Sequence, residues 1–263
     1  MRAVTISALV LGLLPAVSVA AGPADVQPYQ LASILASATF EAVQSGGILA
    51  LKVFVPDSER ALAGGRQAID EAAAKGAILS DGGADAQGAM AAASKKGLDA
   101  RIIPNPYPFL ALQLGSYYNE VGRPEDAVRV LSLGLTLFVT DADAHLGRRW
   151  TYLKYERGAA LVALKRFDEA LAAYGELLQQ PGLEKSMQAR IHRARGFALT
   201  ELGRLPEAEA TYRQSLEIEP GNENALRELA YIERMKSGGQ RAPGGLLPVQ
   251  PGSDRRNEPG RAQ

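Results

Sequence analysis

Three glycines, Gly115, Gly158 and Gly196, are each followed twelve residues later by an alanine, Ala127, Ala170 and Ala208, and this spacing restricts the fold more than any other feature of the chain. Four residues before each alanine stands an arginine in a turn-like phrase: Arg123 in GRPEDA, Arg166 in KRFDEA and Arg204 in GRLPEA. Four residues after each comes a large side chain, Leu131, Tyr174 or Tyr212. Gly122 and Gly203 suit the left-handed conformation that ends a helix, while the Pro-Glu or Asp-Glu that follows suits a helix N-terminus. Each unit therefore reads as a helix, a tight turn and a second, antiparallel helix. Small residues at two fixed places let such helices approach closely, with glycine expected to face alanine and the large residues filling the space on either side. A single hairpin leaves an apolar face bare, so the hairpins must stack into an all-α solenoid.

The pattern resembles the tetratricopeptide repeat. The third unit, residues 189–222, carries Gly196, Leu199, Ala208, Tyr212 and Pro220 at the family's places. The second, residues 151–185, has Gly158, Leu161, Ala170 and Tyr174, and the first, residues 108–141, has Leu114, Gly115, Tyr118, Ala127 and Leu131. The tryptophan usual early in the first helix is replaced by Ala111, Lys154 and His192, and Trp150 precedes the second unit. The alanines lie 43 and then 38 residues apart, against a family period of about 34. Extra residues must then sit at 142–150 and 185–188, lengthening helices or loops. Residues 223–236 read as a capping helix with Leu226, Leu229 and Ala230 on one face. The repeat domain as a whole covers residues 105–236.

The flanks are of other kinds. Residues 1–21 have the order of a cleavable signal peptide: Met1-Arg2, an apolar run to Leu14, the break at Pro15 and the small residues Ser18 to Ala20. That apolar run is too short to span a bilayer, so the expectation is an exported protein, periplasmic or secreted, with no stable membrane insertion after cleavage. Residues 22–104 are alanine-rich and read as helical, with eroded repeats as one reading. A helix is expected from Pro28 to about Gln44 with Leu31, Ile34, Leu35 and Ala38 on one stripe, ended by Gly46-Gly47. Helix is also the reading for Ile48 to Val55, which lacks a strand-like run nearby to pair with. Further helices are expected from Ser58 to Lys75, with Gly64-Gly65 weakening its middle, and from Asp85 to Lys96. Residues 237–263, rich in Gly, Pro, Arg and Gln, read as a disordered tail. From Lys236 on it holds five basic and two acidic residues.

Composition removes several functions. Lys plus Arg equals Asp plus Glu at 29 each, without the excess positive charge that a phosphate backbone demands, so nucleic acid is not expected as a partner. There is no cysteine and there are two histidines, His145 and His192, 47 positions apart. Disulfides and thiolate chemistry are excluded, and no metal or other cofactor is implied. No nucleophile stands beside a base, and the glycine pairs lack the Lys-Ser/Thr of a phosphate loop. The acidic pairs Glu125-Asp126 and Asp168-Glu169 open second helices, where the helix dipole already accounts for them. No catalytic residue is assigned, and the chain is read as a non-enzyme. His192 reads as a partly buried structural side chain and His145 as a surface residue.

The resemblance implies a ligand groove lined by the first helices of the repeats. Carried onto this chain, its positions are Phe109, Gln113, Ser116 and Asn119, then Tyr152, Tyr155, Glu156 and Ala159. Arg190, Arg193, Phe197 and Glu201 follow, with Arg227 and Tyr231 from the capping helix. The binding set drawn from these is Tyr152, Tyr155, Arg190, Arg193, Phe197, Arg227 and Tyr231, with the arginines facing solvent. Aromatic and arginine side chains suit recognition of a peptide carrying carboxylates. The carboxylate clamp of chaperone-binding members needs Lys and Asn where this chain has Leu112 and Ser116, so that specificity is not implied. The function expected is an exported adaptor or scaffold binding a protein or peptide in the cell envelope. The alternative is an envelope enzyme or carbohydrate-binding module, its activity in residues 25–104 and its repeats a docking platform.

Overall fold

The computed structural model describes residues 27–80, 90–91, 94–95, 97, 99, 101–138 and 148–238. The signal-peptide segment, the tail beyond residue 238, most of the stretch expected to be helical from Asp85 and the segment holding His145 lie outside them. The chain divides into two compact units. One takes the N-terminal residues to Val121 together with Arg129–Leu153, and the other takes Gly122–Val128 and everything from Lys154 on.

The first unit opens with helix α1, Pro28–Gly46. Pro28 occupies the first turn, where no N–H partner is required, and the Gln27 N–H donates to the Gln30 side chain at 2.8 Å. The helix stops at Gly47, whose φ of 71° is left-handed. Its buried residues are Tyr29, Ala32, Leu35, Ala36, Ala38 and Thr39, a stripe rotated from the expected one. Leu31 and Ile34 are only half-buried and line a small apolar cavity of about 190 Å³ with Ala61 and Tyr107.

Ile48–Phe54 is helical, as expected, but as a 3-10 helix that buries Leu51 and Phe54. It runs into α2, Val55–Ala63, and a break at Gly64 separates α2 from α3, Gly65–Ala74. The glycine pair therefore divides two helices rather than weakening one. A β-carbon on Gly65 would lie 3.0 Å from both Leu137 and Tyr107, so the second glycine is needed for close approach.

After α3 comes a departure from the helical reading of this segment. Strand β1, Ala77–Ser80, pairs in parallel with β2, Arg101–Pro104, in the register Ala77↔Arg101 to Ser80↔Pro104. Both strands are only four residues long and lie more than 20 apart in sequence, so no alternation long enough to read was available. Ala77, Ile78 and Leu79 are buried, which repays a two-stranded sheet that would be marginal alone. Asn105 then fixes the chain's exit: its side-chain amide donates to the Leu137 carbonyl at 2.8 Å and its oxygen accepts from the Tyr107 N–H at 3.2 Å.

Helices α4, Tyr107–Glu120, and α5, Pro124–Thr136, form the first hairpin. Then follow α6, Arg148–Ala163, and α7, Phe167–Leu178, and after them α8, Lys185–Glu201, and α9, Leu205–Ile218. The extra residues at 185–188 lengthen α8 at its start. The last helix, α10, spans Glu223–Lys236, with Asn222 accepting from the Ala225 N–H at 3.1 Å as its N-cap. Its buried face is Ala225, Glu228, Tyr231 and Ile232. Leu226 is 47% exposed and Ala230 is exposed, so the expected face is corrected by about one residue. Ala225 and Ile232 pack with Leu199, Ala208 and Tyr212, and the partly buried Leu229 joins them.

Candidate functional site

The three repeated turns share one device. Arg123, Arg166 and Arg204 reach forward three residues to Asp126, Glu169 and Glu207. The first places two nitrogens on one oxygen of Asp126, while the second and third fork onto both carboxylate oxygens at 2.6–2.7 Å. Hydrogen bonding from the arginine holds the Glu169 and Glu207 carboxyls below the usual range. All three pairs are exposed, so they fix turn geometry more than they stabilise the fold. Before each arginine the chain turns left-handed: Gly122 at φ 71° and Gly203 at 75°, with Lys165 at 60° in the equivalent place. The backbone closes by Arg166 N–H to Leu161 C=O at 2.8 Å and Arg204 N–H to Leu199 C=O at 2.9 Å.

Within the hairpins the glycines do not chiefly face the alanines. A β-carbon on Gly115, Gly158 or Gly196 would lie 2.3, 2.5 or 2.7 Å from Leu131, Tyr174 or Tyr212 respectively. Each glycine is thus a slot for the large residue sixteen positions later, while Ala127, Ala170 and Ala208 are fully buried. The expected partner was one helical turn away. A flat ring or branched side chain needs the missing β-carbon, whereas alanine needs only proximity. Gly134, which the spacing did not single out, does meet an alanine, Ala111, in the first hairpin.

The predicted groove residues divide by burial. Of those in the second unit, Tyr155, Arg193 and Tyr231 are buried, Arg190 and Phe197 are half-buried and Arg227 is exposed. Tyr152 is half-buried and belongs to the first unit. Gln113 and Glu156, at two further groove positions, are also buried. What the fold brings together is Arg190, whose guanidinium lies 5.1 Å from the Tyr155 ring centre, and Tyr174, whose ring is 5.9 Å from that of Tyr155. A cation stacked on an aromatic face, itself backed by a second ring, is a polarised platform.

Arg193 corrects the expectation of solvent-facing arginines. Its side chain is 4% exposed and donates to Glu219 at 2.6 Å and to the Ser215 hydroxyl at 3.0 Å. It ties α8 to the end of α9 and is a structural group. The residues that claim it, Ser215 and Glu219, were not singled out by the sequence, because position on the first helix does not say where the second helix ends. Glu228 was missed for the same reason. It lies on the buried face of α10, where desolvation pushes its carboxyl up to about 7, assisted by Glu201 and opposed by Arg227. His192 is half-buried as expected, and burial with the charge of Arg195 lowers its pKa, Glu217 opposing.

Among the described residues no group of His, Cys, Asp and Glu is placed to hold a metal ion. No helix among them is long and apolar enough to cross a membrane.

No curated protein matches the chain in sequence. Among solved structures it is similar to the first tetratricopeptide domain of human RPAP3, an NMR structure, at 26% identity. That similarity covers 50% of this chain and 94% of that one, with a TM-score of 0.42. It is similar also to the second such domain of human RPAP3, solved in complex with the HSP70 peptide SGPTIEEVD. There the identity is 24%, covering 48% of this chain and 98% of that one, with a TM-score of 0.39. The family model of the tetratricopeptide repeat matches residues 189–222, which hold Gly196, Ala208 and Tyr212. That match falls on the α8–α9 hairpin, which is thereby identified as a tetratricopeptide repeat.

Proposed function

We propose that the chain is an exported adaptor that holds a protein or peptide partner on the first-helix surface of its repeats, within the cell envelope. The family supports an interaction role, and the signal-like N-terminus supports export. The observation that carries the binding reading is Arg190 stacked over Tyr155, with Phe197 two turns further along α8 and half-buried. Aromatic area gives contact at small entropic cost, and the guanidinium selects an acidic segment. Tyr155 and Arg190 are the groove residues on which this reading rests; Arg193 and Tyr231 are buried.

A photoreactive amino acid placed at Phe197 in the producing cells tests this directly. A discrete crosslinked partner is expected, lost with Arg190→Glu by a factor of about ten in capture and kept with Arg213→Glu, whose side chain is 69% exposed on α9. Equal loss in both variants, or none in either, rejects the site. Sequencing of the envelope-derived protein should begin at Ala21 or Gly22; a retained Met1 rejects export by cleavage.

The competing reading, an enzyme or carbohydrate-binding module in residues 25–104, called for a polar pocket with convergent acids. Of the two cavities described there, one is lined by the single acid Asp57 and the other by the single acid Glu41. Each acid stands beside an arginine, Arg60 in the first cavity and Arg149 in the second, and the interaction reading is preferred on the strength of the repeat.

A further inference from the structure

The first unit contains a cleft of about 540 Å³, within the range of small-ligand sites, whose lining includes neither Tyr155 nor Arg190. One wall is a face of α1, with Tyr29, Ser33, Ser37, Phe40 and Glu41 at helical spacing. The opposite side is built from Ile103 to Pro106, from Phe109 on α4, and from Arg149 at the start of α6.

Three features give the cleft a chemistry. Phe40 is 49% exposed although it points across to Phe109, the two ring centres 6.1 Å apart and tilted by 51°. A pair so arranged has room for a third apolar group and gains by covering it. The Arg149 guanidinium lies 5.4 Å from the centre of the Phe109 ring, which places a positive charge at the edge of that apolar floor. On α1, one residue beyond Phe40, Glu41 puts a negative charge at the rim. The wall is also held in place beforehand: Asn105 spends both ends of its amide on the Leu137 carbonyl and the Tyr107 N–H, so the turn between β2 and α4 is braced from inside.

We propose that this cleft binds a small carboxylate bearing an apolar side chain next to it, the chemistry shared by a free hydrophobic amino acid and the C-terminal residue of a peptide. The side chain covers Phe40 and Phe109, and the carboxylate meets Arg149. Glu41 faces an ammonium in the free amino acid and a peptide N–H in a chain terminus. A purely apolar ligand fits less well, because the lining sets the charged Glu41 and Arg149 beside the two rings. The site shares Phe109 with the groove positions but contains none of Tyr155, Arg190 and Phe197, so it is tested separately from the proposed partner surface.

The test is a calorimetric titration of the full chain with N-acetylphenylalanine and with the corresponding carboxamide. The acid is expected to bind at least ten times more tightly than the amide. Arg149→Gln should erase that difference, and Phe40→Ala should weaken both ligands. Equal binding of acid and amide to the parent overturns the proposal, as does unaltered binding by Phe40→Ala. Because Arg149 packs on Phe109, a variant there could lose its fold. Ser37→Trp, at an exposed position of α1, keeps the test open by filling the cleft: it should retain the helical spectrum and abolish binding, and persistent binding overturns the site. Free phenylalanine binding above the N-acetyl form, with the gain lost in Glu41→Gln, assigns the free amino acid; the opposite order assigns a peptide C-terminus.

Discussion

Tyr212 lies so close over Gly196 that a β-carbon on the glycine would sit 2.7 Å from its ring. The same relation joins Gly158 to Tyr174 at 2.5 Å, and both tyrosines are essentially buried. The ring cannot slide away, because the core surrounds it. Gly196→Ala and Gly158→Ala are therefore expected to lower stability by about 1–3 kcal/mol through overpacking, despite alanine's better helix propensity. Gly175 is the control. It lies inside α7 with nothing within 4 Å of its notional β-carbon, so Gly175→Ala should raise stability by roughly 0.5–1 kcal/mol. Urea melts of the three variants decide the matter; a neutral Gly196→Ala would show that Tyr212 does not need the slot.

Lys165 holds the left-handed conformation that Gly122 and Gly203 hold in the sister turns. A β-carbon costs about 1 kcal/mol there. Lys165→Gly is accordingly expected to stabilise the chain by about 0.5–1 kcal/mol, less the entropy glycine adds to the unfolded state. A melt displaced downward would contradict this reading of the turn.

Arg193 and Arg190 should separate cleanly although they stand three residues apart. Arg193→Ala leaves the Ser215 hydroxyl and Glu219 without their buried partner, and about 1–3 kcal/mol of stability should be lost, the figure tempered by the 33% exposure of Glu219. Arg190→Glu should change the melt by less than about 1 kcal/mol. Similar losses in both would mean that Arg190 too is a structural residue.

Glu228 makes stability depend on pH. Its carboxyl is raised from 4.5 to about 7 in the fold, so the folded state holds the proton more tightly than the unfolded one. The stabilisation is complete below about pH 4.5 and is lost as pH rises through 7, amounting to roughly 1–3 kcal/mol across that window. Glu228→Gln should flatten this part of the stability profile and raise stability at pH 8. A variant whose profile between pH 5 and 8 parallels the parent's would show that Glu228 is not the group responsible.

What the sequence determined by itself was local and periodic. The Gly-to-Ala spacing, the arginine turns and the large residues at Leu131, Tyr174 and Tyr212 were enough to place antiparallel hairpins, because helix periodicity and turn chemistry act over fewer than twenty residues. Only the tertiary structure decided which residue each glycine receives, since one turn of helix separates Ala208 from Tyr212 and both are apolar. It alone decided that Arg193 turns inward while Arg190 stacks on Tyr155: both lie on one face of α8, and their fates depend on Glu219, just past the end of α9, and on Tyr155 of α6. The pairing of Ala77–Ser80 with Arg101–Pro104 is of the same kind. Four-residue strands carry too short a pattern to be read, and their energy comes from partners distant in the chain.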